Sequence, residues 1–334
     1  MNFSELLAIS GAHAQARIIQ VAVKLGVFEA LADSDLDHRQ LASRVSCEPR
    51  AVMLLANALV ALGLLTIEAG RYRLGEAARR HLLEASDRYL GGMILFDEAI
   101  FPLWSRLEDS LKSGRSVREA DMFQKHPEET ERFIEAMDSL TRARGDARYL
   151  RDQLDFSGVS TLADLGGGPG TYVVEMLVRW PALRAAILDL PAKLRVADLI
   201  LARRCPASIR QRIELIECNY LSAELPGRWD AIFLSNIIHS ENEETNRSLI
   251  AKCLRALNCG GRIVIKDHLM DRDLVRPRAG ALFSLYLLLT TRGRDYAYDE
   301  VQGWLASAGF AEINHYDLPS PPFSSTLIQA RKPP

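Results

Sequence analysis

Five side chains of the kinds that bind ligands or move protons follow apolar segments in the second half of the chain: Asp164, Asp189, Asn219, His239 and Asp267. The apolar segments alternate with helical patterns, which predicts a parallel sheet with helices on both faces. The carboxyl ends of such strands meet at one edge of the sheet, where ligands bind. Histidine can accept a proton near neutral pH. We therefore expect a catalytic crevice at this edge, with His239 as the candidate proton acceptor.

A glycine-rich turn, "DLGGGPGTY", follows the first of these strands. Gly166 and Gly168 allow the backbone to turn tightly and to approach a ligand where a Cβ atom would collide. Thr171 or Val173 stands where a dinucleotide fingerprint needs its third glycine, and no GK[ST] sequence marks a phosphate loop. The turn therefore predicts a ligand-binding loop of another kind, with a purely structural turn as the alternative.

Asp189 ends the second strand, nineteen residues after Gly170. A carboxylate at this place can accept hydrogen bonds from the 2′- and 3′-hydroxyls of a ribose, so the ligand should contain a nucleoside. After the third strand, Asn219 could contact an adenine edge and Tyr220 could cover the base, although a surface loop explains either residue equally well.

Composition limits the partners. The chain has 334 residues, 48% of them hydrophobic and 25% charged, with a formal net charge of −2, which suits a two-domain globular protein. No basic excess favours nucleic acid or an anionic membrane, so we expect a small-molecule substrate. Five scattered cysteines without a CxxC pair argue against a disulfide framework and a zinc site. Together with the lack of a secretion-signal pattern, they favour a cytoplasmic location.

The N-terminal part shows helical patterns and then two short strands around Ala69 and Gly70, the order of a winged helix. Its third helix offers Arg50 and then almost only apolar side chains, whereas a DNA-recognition helix needs polar ones. The apolar stretch 51–67 is shorter than the roughly 20 residues of a membrane span, which favours a buried helix. We interpret this part as a dimerisation surface.

The stretch "DLGGGPGTYVVEMLVRWPALRAAILDLP", with the later "NIIH", "GGRIVIKD" and "SAGF", resembles the S-adenosylmethionine-dependent O-methyltransferases of the plant caffeate and acetylserotonin type. The resemblance implies an α/β fold with a Rossmann-like methyltransferase sheet and a C-terminal antiparallel hairpin, preceded by a mostly α, winged-helix-like dimerisation domain. The expected divisions are a dimerisation domain at 1–90, a helical linker and substrate-pocket segment at 91–157, and the S-adenosylmethionine-binding catalytic domain at 158–334. A homodimer is expected to form through the first of these.

The same resemblance implies roles for individual residues. His239 would be the general base, and Asp267 and Asp295 would be its acidic neighbours, where relatives usually carry glutamate. The residues implied for S-adenosylmethionine are Asp164, Gly166, Gly168, Asp189, Leu190, Asn219, Tyr220, Ser235 and Asn236. Four of the implied positions depart from the family pattern: Asn219 replaces the usual aspartate, Ser235 a common lysine, and Ser240 and Glu241 the usual aspartate and tryptophan.

The acceptor pocket is expected between two apolar segments. Phe283 and Tyr286 on the helical segment "AGALFSLYLLLTTRG", with Met270 before it, could form the floor, and Phe96, Trp104 and Met137 could form the opposite wall. Such a lining favours a flat aromatic acceptor, while a plain core role is the alternative for each residue. If the strand continues past Asp267, His268 points to the opposite face and is structural. No metal site is expected.

Three other functions remain open from the sequence. The same geometry would serve methylation at nitrogen or carbon. The substitutions at Ser235, Ser240 and Asp295 are compatible with an enzyme that binds S-adenosylmethionine without transferring its methyl group. A ligand-sensing winged-helix regulator is the fourth possibility, and its apolar recognition helix argues against it.

Overall fold

A computed structural model describes residues 1–119, 122–319 and 325–334. The chain divides into two compact units. The first comprises Met1–Phe101 with Ser139–Ala143, and the second Pro102–Asp138 with Arg144–Pro334. The predicted division at residues 90 and 157 stays a prediction.

The first unit contains the helices and the β-wing expected of a winged helix. Its elements are α1 (Phe3–Lys24), α2 (Val27–Ala30), α3 (His38–Arg44), α4 (Pro49–Ala61), β1 (Leu65–Glu68), β2 (Arg71–Leu74) and α5 (Glu76–His81), and α6 (Gly91–Trp104) follows. Helix α4 begins with Pro49, capped by the Glu48 carboxylate, which accepts hydrogen bonds from two backbone N–H groups. Its residues Val52, Ala56 and Leu59 recur at helical spacing and are buried, as expected for this apolar stretch.

Helix α1 is the one helix among the described residues that is long and apolar enough to cross a membrane by length and composition, and 11% of its apolar window is buried. Its side chains Phe3, Leu6 and Leu7 are exposed by 79%, 54% and 61%. They recur at a spacing of three and four residues, so they share one face of the helix. The first unit therefore presents an apolar face that its own core does not cover.

The second unit begins with helices and continues as alternating strands and helices. The helices before the sheet are α7 (Leu107–Ser113), α8 (Met122–Lys125), α9 (Pro127–Arg144) and α10 (Asp146–Gln153). The alternating part comprises β3 (Thr161–Leu165), α11 (Thr171–Arg179), β4 (Arg184–Asp189), α12 (Pro191–Arg204), α13 (Ala207–Arg210), β5 (Ile213–Glu217), β6 (Trp229–Ser235), α14 (Glu243–Ala256) and β7 (Leu257–Asp267). After it come β8 (Leu269–Met270), α15 (Arg278–Thr290), β9 (Tyr296–Ala297), α16 (Tyr298–Ala308), β10 (Ala311–Leu318) and β11 (Ser325–Arg331).

The main sheet has seven strands in the order β10-β11-β7-β6-β3-β4-β5. Strands β3 to β7 pair in parallel, whereas β11 is antiparallel to β7 and β10 is antiparallel to β11. Both faces of the sheet are covered, because Leu162 of β3 packs into one hydrophobic cluster while Ala163 and Leu165 pack into the other. The predicted parallel sheet with a C-terminal hairpin is confirmed.

A two-stranded sheet, β8-β9, lies beside the end of β7. Strands β8 and β9 pair in parallel, with Leu269 opposite Tyr296 and Met270 opposite Ala297. Gly280 of α15 permits this arrangement, since a Cβ atom there would lie 2.4 Å from the sulfur of Met270 and 3.2 Å from a carboxylate oxygen of Asp295. The ladder therefore brings the segment after β7 next to Asp295, far along the chain.

Candidate active site

His239 lies on a single 3-10 turn, Ile238–Ser240, just after β6. Asn246, fully buried on α14, donates hydrogen bonds to the carbonyls of Ile238 (2.8 Å) and Glu241 (3.1 Å). The Tyr296 hydroxyl donates to the same Glu241 carbonyl at 2.6 Å. These bonds satisfy carbonyl groups that an isolated turn would leave without partners, so the turn is held rigidly.

Gly293 packs directly on this turn from the loop between α15 and β9. A Cβ atom at Gly293 would lie 2.2 Å from the carbonyl oxygen of His239 and 2.6 Å from that of Glu241. Both distances are shorter than any ordinary contact, so the position requires glycine while the loop keeps this place. The backbone of the turn and the loop after α15 are in direct contact.

Asp267, at the end of β7, orients the imidazole of His239. One of its carboxylate oxygens lies 2.6 Å from Nδ1 of His239, and the other accepts a hydrogen bond from the backbone N–H of Ile238 at 3.1 Å. Because an ionised carboxylate only accepts hydrogen bonds, Nδ1 carries the proton, and in the neutral ring Nε2 is the acceptor. The pair therefore presents a basic nitrogen on the side away from Asp267.

The charges of the pair shift both pKa values. Burial lowers the pKa of His239, but the charge and hydrogen bond of Asp267, helped by the charge of Asp295, raise it more, so it ends above its ordinary value of 6.5. Burial raises the pKa of Asp267, yet the charge and hydrogen bond of His239 bring it below its ordinary value. Each group thus favours the charged form of the other.

Asp295 immediately precedes β9 and is 1% exposed. Its backbone N–H donates to the hydroxyl of Ser284 on α15 at 3.2 Å, while neither carboxylate oxygen has a hydrogen-bond partner among the described residues. Burial raises the pKa of Asp295 to about 7, because the charge of His239 offsets only part of the cost of desolvation. Asp295 is therefore a nearly sealed acid within the electrostatic reach of His239.

The structure corrects the interpretation of His268. Strand β7 ends at Asp267, so the alternation of side chains stops there and His268 does not turn to the opposite face. Its imidazole lies beside that of His239, with ring centroids 6.0 Å apart and planes inclined by 16°. His268 belongs to the same cluster as His239 and Asp267.

An aromatic wall continues from this cluster along α15. Phe283 meets His239 edge-on at 5.4 Å, Tyr286 stacks on Phe283 at 5.4 Å, and Trp104 lies 6.3 Å from Tyr286 between ring centroids. Met270 is buried beside Gly280, three residues before Phe283 on α15. Of the predicted floor residues, Phe283 therefore contacts His239, Tyr286 follows Phe283, and Trp104 joins the wall through Tyr286.

Phe96 and Met137 are the other two residues predicted to line the acceptor pocket. Phe96 is buried within the first unit, on α6. Met137 is half-buried on α9. Their predicted contact with an acceptor stays a prediction.

The glycine-rich turn forms a cradle at the end of β3. Gly166 and Gly168 have φ values of +67° and +51°, which non-glycine residues rarely adopt. The backbone N–H of Gly168 donates to the carboxylate of Asp189 at 3.1 Å, and that of Leu190 donates to its other oxygen at 2.8 Å. Asp189 is thus fixed at the end of β4, next to the turn.

Asp164 lies beneath the turn and is 1% exposed. Neither of its carboxylate oxygens has a hydrogen-bond partner among the described residues. Burial, together with the charge of Asp189, raises the pKa of Asp164 to about 8. A buried carboxyl group without partners is costly unless a ligand supplies a donor. The cradle therefore fits a ligand that carries an amine or hydroxyl groups.

The remaining predicted ligand residues line the next two strand ends. The Asn219 side chain accepts a hydrogen bond from the backbone of Leu221 at 3.1 Å, and the Tyr220 hydroxyl donates to the Glu241 carboxylate at 3.1 Å. Ser235 ends β6, and Asn236 follows in a left-handed conformation with φ +57°. All of these lie at the same sheet edge as His239.

Four acidic and imidazole side chains are close enough together to offer ligands to a metal ion. One ligand atom from each of His239, Asp267, His268 and Asp295 lies within 4.8 Å of the others. The 2.6 Å contact between His239 and Asp267 is a hydrogen bond, which competes with binding one ion through these same atoms. The arrangement is therefore that of an oriented base with acidic neighbours.

Sequence reasoning missed the residues that hold this arrangement together: Asn246, Gly280, Gly293 and Tyr296. A glycine in the middle of an apolar helix is unfavourable by about 1 kcal/mol relative to alanine, so Gly280 carried a signal of close packing. Asn246 carried none, because an asparagine on an amphipathic helix is ordinary.

Two family patterns match the chain. Residues 104–311 match the family pattern of the O-methyltransferase domain, and residues 7–84 match that of the O-methyltransferase dimerisation domain. The chain belongs to the O-methyltransferase family. The family named from the sequence is thereby confirmed, and the position of the dimerisation domain agrees with the winged-helix-like first unit.

Two relatives of known name are O-methyltransferases of Streptomyces. A 3-hydroxy-5-methyl-1-naphthoate 3-O-methyltransferase of Streptomyces sahachiroi is 32% identical, over 91% of this chain and 88% of its own. The tetracenomycin polyketide synthesis 8-O-methyl transferase of Streptomyces glaucescens is 31% identical, over 98% and 96%. Among solved structures, the human N-acetylserotonin methyltransferase in complex with S-adenosylmethionine has a TM-score of 0.89 at 23% identity, over 99% of this chain and 98% of that one, and shares the fold.

Proposed function

We propose that this O-methyltransferase transfers the methyl group of S-adenosylmethionine to a hydroxyl group of an aromatic small molecule in specialised metabolism, with His239 as the general base. The observation that carries the role of His239 is its 2.6 Å hydrogen bond to Asp267, which fixes the tautomer with a basic Nε2. The two Streptomyces relatives support the acceptor class, since their names specify a hydroxynaphthoate and a polyketide.

The cofactor site is proposed at the glycine cradle. When bound, S-adenosylmethionine supplies a methyl group on a positively charged sulfur. Asp189 would accept hydrogen bonds from the ribose hydroxyls, and the backbone at Gly166 and Gly168 would contact the methionine portion above Asp164. Leu190, Asn219, Tyr220, Ser235 and Asn236 complete the proposed site at the adjoining strand ends.

The acceptor proton would move to Nε2 of His239. A phenol has a pKa of about 10 and a free histidine about 6.5, so complete proton removal before attack costs about 5 kcal/mol. The raised pKa of His239 narrows this gap, and Asp267 balances the charge of the imidazolium that forms. Proton transfer during attack and a fixed approach of the hydroxyl supply the remainder, since positioning can contribute roughly 7 to 11 kcal/mol.

The acceptor would lie against the aromatic wall. Phe283 and Tyr286, stacked at 5.4 Å, offer a flat apolar surface that begins at His239. A planar aromatic ring on this surface would bring a hydroxyl group toward Nε2 and exclude water from it. Asp267 would be the positioning residue for the base, and Asp295 would adjust its pKa.

The test measures methyl transfer by two variants, His239→Ala and His239→Gln. The glutamine side chain can still form hydrogen bonds but is not a base. With isotopically labelled methyl donor and a panel of hydroxylated naphthalenes, both variants should lose about 10²- to 10⁴-fold in turnover while retaining cofactor affinity by calorimetry. Unchanged turnover would show that another group is the base. Labelled product with the methyl group on nitrogen or carbon would favour those reactions, and absence of labelled product with the wild-type enzyme would contradict methyl transfer.

We also propose that the protein is a homodimer through its first unit. The family match at residues 7–84 covers most of α1, and the apolar face of α1 is exposed in the single chain. A second copy of the chain would cover that face, which explains why a helix with the length and hydropathy of a membrane span occurs here.

A further inference from the structure

Glu241 directly follows the turn that carries His239, and its side chain has no part in the proposed proton transfer. The residue is 9% exposed, and its carboxylate accepts a hydrogen bond from the Tyr220 hydroxyl at 3.1 Å. Tyr220 comes after β5 and Glu241 after β6, and β3 and β4 lie between these strands in the sheet. Strands β3 and β4 end in the glycine cradle and Asp189. The bond therefore connects the two sides of the proposed cofactor site.

Lys193 links Glu241 to the carboxylate proposed for the ribose. The ammonium group of Lys193 lies 3.5 Å from a carboxylate oxygen of Asp189. Its charge also acts on Glu241, and the charges of both Glu241 and Asp189 act on the Tyr220 hydroxyl. The two carboxylates therefore share a cationic and a phenolic neighbour. This arrangement puts Glu241 near the adenosine end of the proposed site.

We propose that the Glu241 carboxylate binds the 6-amine of the adenine ring of S-adenosylmethionine. This inference rests on the proposed function, because it takes the glycine cradle and Asp189 as the cofactor site. An ionised carboxylate only accepts hydrogen bonds, so its partner on the cofactor must be a donor. The ribose hydroxyls are assigned to Asp189 and the methionine portion to the cradle above Asp164, which leaves the 6-amine. Tyr220, the residue proposed to cover the base, is also the residue that contacts Glu241.

A hydrogen bond from Tyr220 alone would not require a carboxylate. A glutamine oxygen would accept the same bond without the cost of burying a charge. Burial raises the pKa of Glu241 above its ordinary value of 4.5, although the Tyr220 hydrogen bond and the charges of Arg292 and Lys193 act in the opposite direction. These neighbours therefore stabilise the ionised form only in part, and a donor on the ligand would stabilise it further. Glu241 also replaces the tryptophan usual in the family, so the carboxylate is a feature of this chain.

The backbone of Glu241 is held separately from its side chain. Its carbonyl accepts hydrogen bonds from the Tyr296 hydroxyl at 2.6 Å and from Asn246 at 3.1 Å, and Gly293 packs against it. A substitution of the side chain therefore keeps the contacts that fix the turn of His239. Effects on cofactor binding can consequently be separated from effects on the base.

The experiment measures the affinity of two ligands by calorimetry, so it does not depend on turnover. The ligands are S-adenosylhomocysteine and its analogue in which hydrogen replaces the 6-amine of the adenine ring. The wild type should bind S-adenosylhomocysteine about tenfold more tightly or better, as expected for a hydrogen bond to a charged group. Glu241→Leu should lose most of this preference, and Glu241→Gln should keep part of it because its amide oxygen still accepts a hydrogen bond.

Glu244→Leu is the matched control, since Glu244 is an exposed acid in the first turn of α14, three residues after Glu241. It should leave the preference unchanged. A substitution at Glu241 that only loosened the structure would weaken the binding of both ligands equally, whereas loss of the proposed bond weakens the binding of S-adenosylhomocysteine alone. Circular dichroism checks folding, and Glu241→Gln carries the test if Glu241→Leu fails to fold.

The outcomes separate this inference from the proposed function. Binding of both ligands by the wild type without a preference would overturn the role of Glu241 and leave the cofactor site in place. The same conclusion follows if Glu241→Leu keeps the full preference, or if Glu241→Gln keeps it where Glu241→Leu does not fold. If the wild type binds neither ligand, the proposed cofactor site is wrong, and the inference about Glu241 falls with it.

Discussion

The acid and base groups around His239 differ in how they hold protons. Asp267 is hydrogen-bonded to His239 and its pKa is lowered, whereas Asp295 has no such partner and its pKa is raised to about 7. Hydrogen bonding and burial thus shift the pKa values of the two carboxyl groups in opposite directions. The pH dependence of activity should distinguish the effects of Asp267 and Asp295.

Activity should fall on the acidic side as His239 is protonated. Because the pKa of His239 is raised, the midpoint of this limb in kcat/KM should lie above 6.5. The charge of Asp295 contributes to that rise, so Asp295→Asn should move the limb to lower pH. A pH profile of kcat/KM from pH 5 to 10 measures both.

Asp299→Asn is the control for this prediction. Asp299 lies near Asp295 in the sequence, but its side chain is half exposed and paired with Arg272 on the surface. Its removal should leave the acidic limb in place. A limb that stays fixed in Asp295→Asn, or that moves to higher pH, would show that Asp295 does not act on His239 in this way.

The orientation of His268 could not be predicted from side-chain alternation alone. Alternation assigns it correctly only if the strand continues, and β7 stops one residue earlier. Strand ends are set by pairing with neighbours, which a single sequence does not display. The position of His239 could be predicted, because the sequence shows both the apolar strand before it and the other strand ends at the same sheet edge.

At the scale of elements, a buried ion pair joins the sheet to the helices on one face. Lys266 of β7 is fully buried and lies 3.2 Å from the carboxylate of Asp146 on α10, and the Tyr172 hydroxyl of α11 donates to the same carboxylate at 3.0 Å. Lys266 immediately precedes Asp267. The ion pair therefore helps to fix the strand end that orients His239.

Lys266→Met should destabilise the protein by about 3 to 5 kcal/mol, since it leaves the carboxylate of Asp146 buried without its cation. The double variant Lys266→Met with Asp146→Leu should recover most of that loss, because neither buried charge remains. Calorimetric unfolding of the wild type, both single variants and the double variant measures the coupling. A single Lys266→Met variant within about 1 kcal/mol of wild type would mean that water or Tyr172 already satisfies Asp146.

The elements were more predictable than their contacts. Strong alternation of apolar strands and amphipathic helices predicts β3 to β7, and the family resemblance implies the hairpin β10–β11. Strands β8 and β9 have two residues each, too short for any periodic signal, yet they place Asp295 near His239. The family resemblance alone implies a place for Asp295 near His239. The contacts that bring the two residues together are seen only in the tertiary structure.

At the scale of the whole molecule, the proposed dimer has a direct test on α1. Leu6→Glu with Leu7→Glu places charges on the exposed apolar face and should convert a dimer to a folded monomer, because desolvating charges at an interface is costly. Light scattering after size-exclusion chromatography gives the mass, and circular dichroism checks folding.

Leu111→Glu is the control for the dimer. Leu111 is 60% exposed on α7, away from α1 in the chain and outside residues 7–84, and its substitution should leave the mass unchanged. A wild-type protein of monomer mass would contradict the proposal, and so would a double variant that remains dimeric. Association of the wild type with lipid vesicles, lost in the double variant, would instead favour a membrane role for α1.

We expect the contact at Gly293 to link the size of the acceptor to the turnover rate. Helix α15 carries Phe283 and ends three residues before Gly293, whose backbone rests on the carbonyls of His239 and Glu241. An acceptor that is too thick to fit against Phe283 would displace α15. Because Gly293 already touches the backbone of the turn that carries His239, this displacement would also move the imidazole. The wall would then select acceptors by their thickness. Oversized acceptors could still bind, but the imidazole would be misaligned, so kcat would fall more than KM would rise.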